Sequence, residues 1–254
     1  MKRTLLILLV LCAPLFMAAD RRTAMRNYTS GSAAWSPTTP ANTLREWIKA
    51  DVGLGLNNGD PVSTWTASAG KSPTASGSAR PFFTNNVQNG LPAIQFDGVN
   101  DYMDTGNFTS SQAQPYTVLM VFKLITTASQ ARLIDGDTAG TGRLILRSGG
   151  NWNVYSGSAF QNTAQSEDTN FNTLLLEVNG TTSTNSWNGG ATDNFAGTSP
   201  GTDNLPGIGL GCSNDGSTQP AKMFWCELIV WDGRLSTADR TSALSYIRTR
   251  WATW

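Results

Sequence analysis

The stretch Asn89–Gly106, NGLPAIQFDGVNDYMDTG, decides how the rest of the sequence is interpreted. Within it, Pro92–Phe96 alternates apolar and polar residues, as a half-buried β-strand does. Asp97-Gly98 then gives a turn signal, and Asn100-Asp101 follows two residues later. The stretch therefore predicts a short strand that ends in a tight turn.

The composition favours a β-protein that works outside the cell. The chain has 254 residues, of which 39% are hydrophobic and only 14% are charged, with a net charge of zero. A typical soluble domain is about 25% charged, so this surface must be built from Ser, Thr, Asn and Gly. All-β sandwiches commonly run to about 200–250 residues as one domain, which fits this length.

Several functional classes are excluded by residues that the chain lacks. It contains no His, which removes the commonest general base and every Ser-His-Asp or Cys-His arrangement. None of its four Glu has a second acid two residues away, so the paired-carboxylate strand of many glycoside hydrolases is absent. No basic run recurs along the predicted domain, so nucleic acid is not expected as a partner. We therefore predict that the chain is not an enzyme and requires no cofactor.

The N-terminal residues resemble an export signal. Lys2 and Arg3 precede an apolar run, Leu5–Ala19, which is too short to span a bilayer. We interpret residues 1–19 as a signal peptide, the alternative being a retained apolar N-terminal anchor. Residues 20–43 are polar and contain two Pro, as a linker does, and residues 44–254 form the predicted domain. The expected location is secreted, or on a cell or virion surface.

The strongest predicted elements are two apolar strands and a C-terminal helix. Tyr116–Ile125 is the most continuously apolar stretch after the leader and is rich in β-branched and aromatic residues, which is typical of a central strand buried on both faces. Lys222–Trp231 is the last predicted strand, and Ser236 is a helix N-cap followed by an acid three residues later. Leu244, Ile247 and Trp251 then form one apolar stripe, predicted to be buried, while Arg248 and Arg250 are predicted to be exposed. Shorter strands are predicted at Ala131–Ile134, Arg143–Arg147, Trp152–Tyr155, Thr173–Val178, Ser183–Trp187 and Gly207–Cys212.

The opening stretch resembles the signature of the LamG-like jelly rolls. The matching residues are Asn89, Gly90, Pro92, Ala93, Phe96, Asp97, Gly98, Asp101 and Tyr102. Trp47, Ala50 and Asp51 match the first strand of that family, and Glu227, Asp232 and Tyr246 match its closing strand and helix. The resemblance implies an all-β fold: a concanavalin A-like antiparallel β-sandwich (jelly roll) with a short C-terminal helix.

Aromatic residues on polar strands are the candidate ligand-binding residues. An aromatic ring can stack on the apolar face of a sugar, and neighbouring Asn side chains can bond its hydroxyl groups. The alternative is that the rings pack against a neighbouring strand. The predicted glycan site consists of Trp152, Tyr155, Trp187, Asn151, Asn153 and Asn188.

Two acids in a glycine-containing loop, Asp135 and Asp137, are candidate ligands for Ca²⁺. The alternative is that they cap tight turns through bonds to the backbone. Many LamG and lectin relatives bind calcium through loops of this kind at the rim of the sandwich, which keeps the metal hypothesis open.

Cys212 and Cys226 lie on predicted strands with 13 residues between them. In an exported chain we expect them to form a disulfide, as laminin G-type domains often do near this point. The alternative is a pair of buried free thiols.

These features predict a non-catalytic extracellular or surface-displayed binding or adhesion module. Its expected partner is a glycan or surface polysaccharide. The alternative is a structural subunit or decoration protein of a virion or surface assembly, with other subunits as partners. A divergent carbohydrate-active enzyme, with acids brought together from separate loops, is a third hypothesis.

Overall fold

The computed structural model describes residues 34–127, 130–136, 145–148 and 150–254. The predicted leader and residues 20–33 lie outside them. The described residues form a compact unit that begins at Trp35. Its strands are β1 (Leu44–Lys49), β2 (Ala67–Ala69), β3 (Phe82–Gln88), β4 (Leu91–Asp97), β5 (Met103–Asp104), β6 (Tyr116–Leu124), β7 (Gln130–Asp135), β8 (Ile145–Ser148), β9 (Asn151–Val154), β10 (Gln161–Ser166), β11 (Phe171–Val178), β12 (Thr184–Trp187), β13 (Gly209–Leu210) and β14 (Lys222–Asp232), and its helix α1 spans Thr237–Trp251.

The strands form two antiparallel sheets, as an all-β sandwich requires. The first sheet has the order β12-β11-β6-β14-β1-β2, with β4 paired to β14 and β3 paired to β4. The second sheet has the order β10-β9-β8-β7-β13-β5. Helix α1 covers the outer face of the first sheet, and the main core lies between the two sheets. The predicted sandwich with a C-terminal helix is therefore confirmed.

Strand β6 shows why the central strands are apolar on both faces. Val118, Met120 and Phe122 belong to the core between the sheets, whereas Leu119 and Val121 belong to the cluster beneath the helix. Because both faces of the first sheet are covered here, consecutive residues from Val118 to Phe122 are all apolar.

Strand β14 carries a bulge that turns two consecutive residues towards the helix. The register with β6 shifts between Trp225 and Glu227. Trp225 packs in the core between the sheets, and Cys226 packs in the cluster beneath the helix. Glu227 also faces the helix, because its carboxylate bonds helix side chains.

The buried carboxylate of Glu227 joins the helix to two strands. Its Oε1 accepts from Trp47 Nε1 and from the Tyr246 hydroxyl, each at 2.8 Å. Its Oε2 accepts from Trp251 Nε1 at 2.7 Å and from Arg250 Nε at 3.0 Å. Burial and the charge of Glu227 raise the pKa of Tyr246, so its hydroxyl remains a donor at neutral pH. A buried charge is tolerated when it is this fully bonded and paired with a cation.

The helix begins and packs largely as the sequence predicts. Ser236 Oγ accepts from the backbone N–H of Asp239 at 3.1 Å, which is the N-cap bond. Ile247 and Trp251 are fully buried and Leu244 partly so. The predicted exposure of Arg250 is wrong, because its guanidinium bonds Glu227 and forms an ion pair with Asp51. No helix among the described residues is both long and apolar enough to cross a membrane.

We predict that Glu227→Leu lowers the free energy of unfolding by about 3–5 kcal/mol, since breaking a buried ion pair leaves its partners unsatisfied. Urea denaturation of the purified chain measures the change. The control is Arg248→Ala on the exposed face of the same helix, expected to cost no more than about 0.5 kcal/mol. A loss below about 1 kcal/mol for Glu227→Leu would show that the helix is held by its apolar face alone.

Candidate functional site

Two of the predicted sugar-stacking rings are in the core. Trp152 is 0% exposed and Trp187 is 8% exposed. Their rings stack on each other with centroids 5.7 Å apart, and the ring of Phe122 meets that of Trp152 edge-on at 5.2 Å. Strands β9 and β12 are polar on one face only, and their inward residues fill the sandwich. The prediction that these two rings bind glycan is therefore wrong.

Two of the predicted Asn ligands, Asn153 and Asn188, use their side-chain amides to bond to the protein itself. The side-chain amide of Asn153, which is buried, donates to the carbonyl of Asn151 at 3.0 Å. Asn188 has a φ of 49° in the turn after β12, and its Oδ1 accepts from Thr173 N at 2.8 Å. Its Nδ2 donates to Asn172 Oδ1 at 3.0 Å. These amides stabilise hairpins, which is a common role for Asn at turns.

Tyr155 is the one predicted ring that lies at the surface. It contacts the ring of Phe160, which was not among the predicted residues. Its centroid is 4.9 Å from that of Phe160, at an interplanar angle of 38°. Phe160 is 51% exposed, which is unusual for so large an apolar side chain. Both rings belong to the connection between β9 and β10. The signal used for Tyr155, an aromatic residue among Gly, Ser and Asn, also applies to Phe160.

Phe160 borders a groove of about 400 Å³ between β10 and the segment that follows β12. Strands β10 and β12 are the terminal strands of their sheets, so the groove lies along one edge of the sandwich. We call it the edge groove. It is lined by Phe160, Gln161, Asn162, Thr163, Asp193, Phe195 and Thr198.

The far wall of the edge groove is fixed by a backbone bridge and a buried ring. Asp193 and Asn185 exchange two backbone hydrogen bonds, each of 2.8 Å, which attach the segment to β12. Phe195 has a φ of 54°, a strained value for a residue with a Cβ, and its ring is buried in the main core. Packing of this ring therefore holds the backbone that carries Asp193 and Thr198.

Some polar groups of the edge groove are already bonded and others remain available. Gln161 Nε2 donates to the carbonyl of Ser199 at 3.1 Å, and its Oε1 accepts from the Thr198 hydroxyl. Asp193 accepts from Asn185 Nδ2 at 2.9 Å and from Phe195 N at 3.3 Å, one bond to each carboxylate oxygen. Each of these oxygens keeps a second lone pair. The exposed amide of Asn162 bonds no other described residue. The groove thus offers an aromatic face, a free amide and a carboxylate.

Asp135 is held by protein groups in an arrangement unlike a calcium site. It is 2% exposed and forms an ion pair with Arg132. Its oxygens also accept from the backbone N–H groups of Asn214 and Gly136, each at 3.0 Å. The guanidinium already supplies the positive charge. Asp137 lies outside the described residues, within which no cluster of three or more Asp, Glu, His or Cys forms.

The predicted disulfide is wrong, because Cys212 and Cys226 are both buried free thiols. Cys226 lies at the bulge of β14 in the first sheet, beneath the helix. Cys212 follows β13 of the second sheet, and its thiol donates to the carbonyl of Thr218 at 3.0 Å. A disulfide between them requires neighbouring strands, whereas β13 and β14 belong to different sheets.

Glu46 is a buried acid outside the edge groove. Its Oε2 accepts from Lys71 N at 2.9 Å, and its Oε1 has no hydrogen-bond partner. Burial raises the pKa of Glu46 to about 8, although the Lys71 N–H and the charges of Arg45 and Lys71 act in the opposite direction. The group is therefore largely protonated in the folded chain at neutral pH.

We predict that the stability of the chain falls as pH rises because Glu46 must ionise. A folded-state pKa above the unfolded value favours folding at low pH, and this stability is lost from about pH 4.5 upward through pH 8. The slope due to this one group is about 1.4 kcal/mol per pH unit. Urea denaturation at several pH values measures it.

The control is Glu46→Gln, which mimics the protonated acid and removes this slope. Asp101, whose pKa burial raises to about 6, acts in the same direction below pH 6 in both proteins. The comparison is therefore most decisive between pH 6 and pH 8. Parallel stability curves for the two proteins over that range would contradict the prediction.

Comparisons with known proteins give a fold but no family. No family model and no curated protein matches the sequence. The LamG-like resemblance therefore stays an expectation.

Solved structures do match the described fold. A Trypanosoma rangeli sialidase in complex with sialic acid is 12% identical, with a TM-score of 0.57, over 84% of this chain. This chain spans 34% of that sialidase, and the same share of another structure of it with the inhibitor DANA. Domain 4 of AbnA, an extracellular GH43 arabinanase of Geobacillus stearothermophilus, in complex with arabinotriose, is 14% identical, with a TM-score of 0.51. That match covers 80% of this chain and 98% of the domain. At such identities the likeness shows the fold alone, and the chain is an all-β sandwich.

Proposed function

We propose that the chain is a non-catalytic glycan-binding module and that the edge groove is its binding site. The observation that carries the proposal is the half-exposed ring of Phe160, supported from behind by Tyr155. Beside it stand the exposed amide of Asn162 and the carboxylate of Asp193. A flat apolar surface next to amide and carboxylate groups has the chemistry that sugar recognition uses.

The support from Phe160 is energetic as well as geometric. A large apolar ring in water forgoes part of the roughly 1.5–3 kcal/mol that full burial of such a side chain gives. A sugar that stacks on the ring would recover part of this free energy. The ring is also preorganised, because Tyr155 limits its movement, and preorganisation lowers the entropic cost of binding.

The matched structures support the same class of ligand. The arabinanase domain is a sandwich of similar extent, and its structure holds arabinotriose. This chain spans 34% of the sialidase whose structure holds sialic acid, so the charge of that ligand is not carried over. We carry over from them only the class of ligand, a carbohydrate, and no binding residue.

The proposal of a non-catalytic role rests on the carboxylates of the groove. Glycoside hydrolysis generally uses two carboxyl groups about 5–9.5 Å apart. The lining of the edge groove contributes one, Asp193. Glycans are abundant on cell surfaces and in the extracellular matrix. We therefore propose that the protein acts outside the cell or at a surface.

We predict that Phe160→Ala weakens glycan binding at least tenfold, because a stacking ring is a binding hot spot worth about 1.4 kcal/mol or more. A glycan array that includes arabinan oligosaccharides identifies the tightest ligand, and calorimetry then measures the affinity of each protein. Stability should change by less than about 1 kcal/mol, since the ring is half exposed.

The matched control is Phe82→Ala, which removes a second exposed Phe, 42% exposed on β3. It should leave the affinity for glycan unchanged. Equal affinities of the Phe160→Ala protein and the parent would remove the edge groove as the binding site.

The same control tests the alternative of a structural subunit, which the exposure of Phe82 favours. An exposed apolar ring on a strand is a natural contact between subunits. If the chain assembles through this ring, Phe82→Ala should lower its oligomeric state in sedimentation experiments and Phe160→Ala should not.

A further inference from the structure

We propose that the edge groove selects uncharged sugars and excludes those that carry carboxylate, sulfate or phosphate groups, with Asp193 as the selecting residue. The inference rests on the proposed function, because it concerns the same groove. It adds the chemical class of the ligand, which the presence of an aromatic ring alone leaves open.

The carboxylate of Asp193 is held in a fixed position at the groove. Asn185 Nδ2 binds its Oδ2 at 2.9 Å, and the backbone N–H of Phe195 binds its Oδ1 at 3.3 Å. One lone pair on each oxygen remains for a ligand. A carboxylate can only accept hydrogen bonds, so it matches the hydroxyl groups of a sugar and repels a second anion. Bonds from O–H groups to a carboxylate are also among the stronger hydrogen bonds in proteins.

The described lining of the groove supplies no positive charge to offset Asp193. The seven residues that line the groove include no Lys or Arg. An acidic ligand in the groove would therefore meet the carboxylate of Asp193 with no cation in the lining to offset it.

One described cation approaches the groove, and its charge is already engaged. Arg240 Nη2 donates to the Thr192 hydroxyl at 3.0 Å, next to Asp193 in the sequence. Its Nη1 binds the buried Glu177 carboxylate at 2.6 Å, which holds the guanidinium on the helix side of the first sheet. Arg240 consequently screens Asp193 only in part.

The expected size of the selection follows from Coulomb's law. Two like charges about 5 Å apart at a protein surface repel enough to weaken binding by about fivefold to tenfold at physiological salt. An acidic sugar also forgoes the hydrogen bond to the carboxylate wherever its own anion replaces a hydroxyl group. Both effects act in the same direction, so we expect a preference of at least tenfold for the neutral ligand.

The test is a glycan array on which each neutral glycan is printed beside its sialylated, sulfated and uronic counterparts. The parent chain should bind the neutral member of a pair at least tenfold more tightly. Raising the salt concentration should strengthen its binding to acidic members, because salt screens repulsion, and should leave neutral binding unchanged. This measurement needs no variant, so it stands even if a substitution harms folding.

The variant is Asp193→Asn, which keeps an acceptor for the Phe195 N–H and removes the charge. It should weaken neutral binding severalfold, narrow the difference between neutral and acidic glycans, and abolish the salt effect. Acidic glycans that bind the parent as tightly as their neutral counterparts would overturn the inference. If Phe160→Ala then abolished binding of both neutral and acidic glycans, the edge groove would remain the glycan site and only the selection of uncharged sugars would be wrong. A parent chain that bound no printed glycan would overturn both.

Discussion

The carboxylate of Glu227 is the constraint on which the arrangement of the layers depends. It lies at the bulge of β14, and it accepts hydrogen bonds from Trp47 of β1 and from three side chains of the helix. A buried carboxylate without such donors would be costly, so the helix stands where all of them reach Glu227. The outer face of the first sheet is thereby closed, and its other face is left to pack on the second sheet.

The edge groove follows from how this sandwich ends. The two sheets are joined near their last strands by the stacked rings of Trp152 and Trp187, and Phe195 belongs to the same core. The first sheet ends at β12, which carries Trp187, and the second ends one strand beyond Trp152, at the polar strand β10, which stands opposite Asp193. The groove is therefore an opening bordered by core aromatics, which makes its walls rigid even though its lining is polar.

The sequence predicts those parts of the fold whose signal is local. The apolar run of β6, the N-cap of Ser236 and the strand within Asn89–Gly106 each carry their own pattern, and the structure contains all three elements. Strand β10 is not predictable in this way, because Gln161–Ser166 has no apolar alternation and is a strand only through its pairing with β9. The candidate site was misplaced for the same reason. Trp152 and Trp187 have polar neighbours in the sequence, yet their strands present one face to the core, and only the sheet order shows which.

The stretch Asn89–Gly106 has a different role from the residues of the groove. The carboxylate of Asp101 accepts from the backbone N–H of Asp97 at 2.6 Å, and the Tyr102 hydroxyl donates to the carbonyl of Asn214 at 2.7 Å. These bonds shape loops and leave little polar capacity for a ligand. Most residues that line the groove, in contrast, are exposed or half-buried and lie on β10 or in the loops beside it, where substitutions cost little stability. A sandwich built in this way can change its ligand without disturbing Glu227 or the turn at Asp97, which is why the pattern of Asn89–Gly106 carries so little information about what is bound.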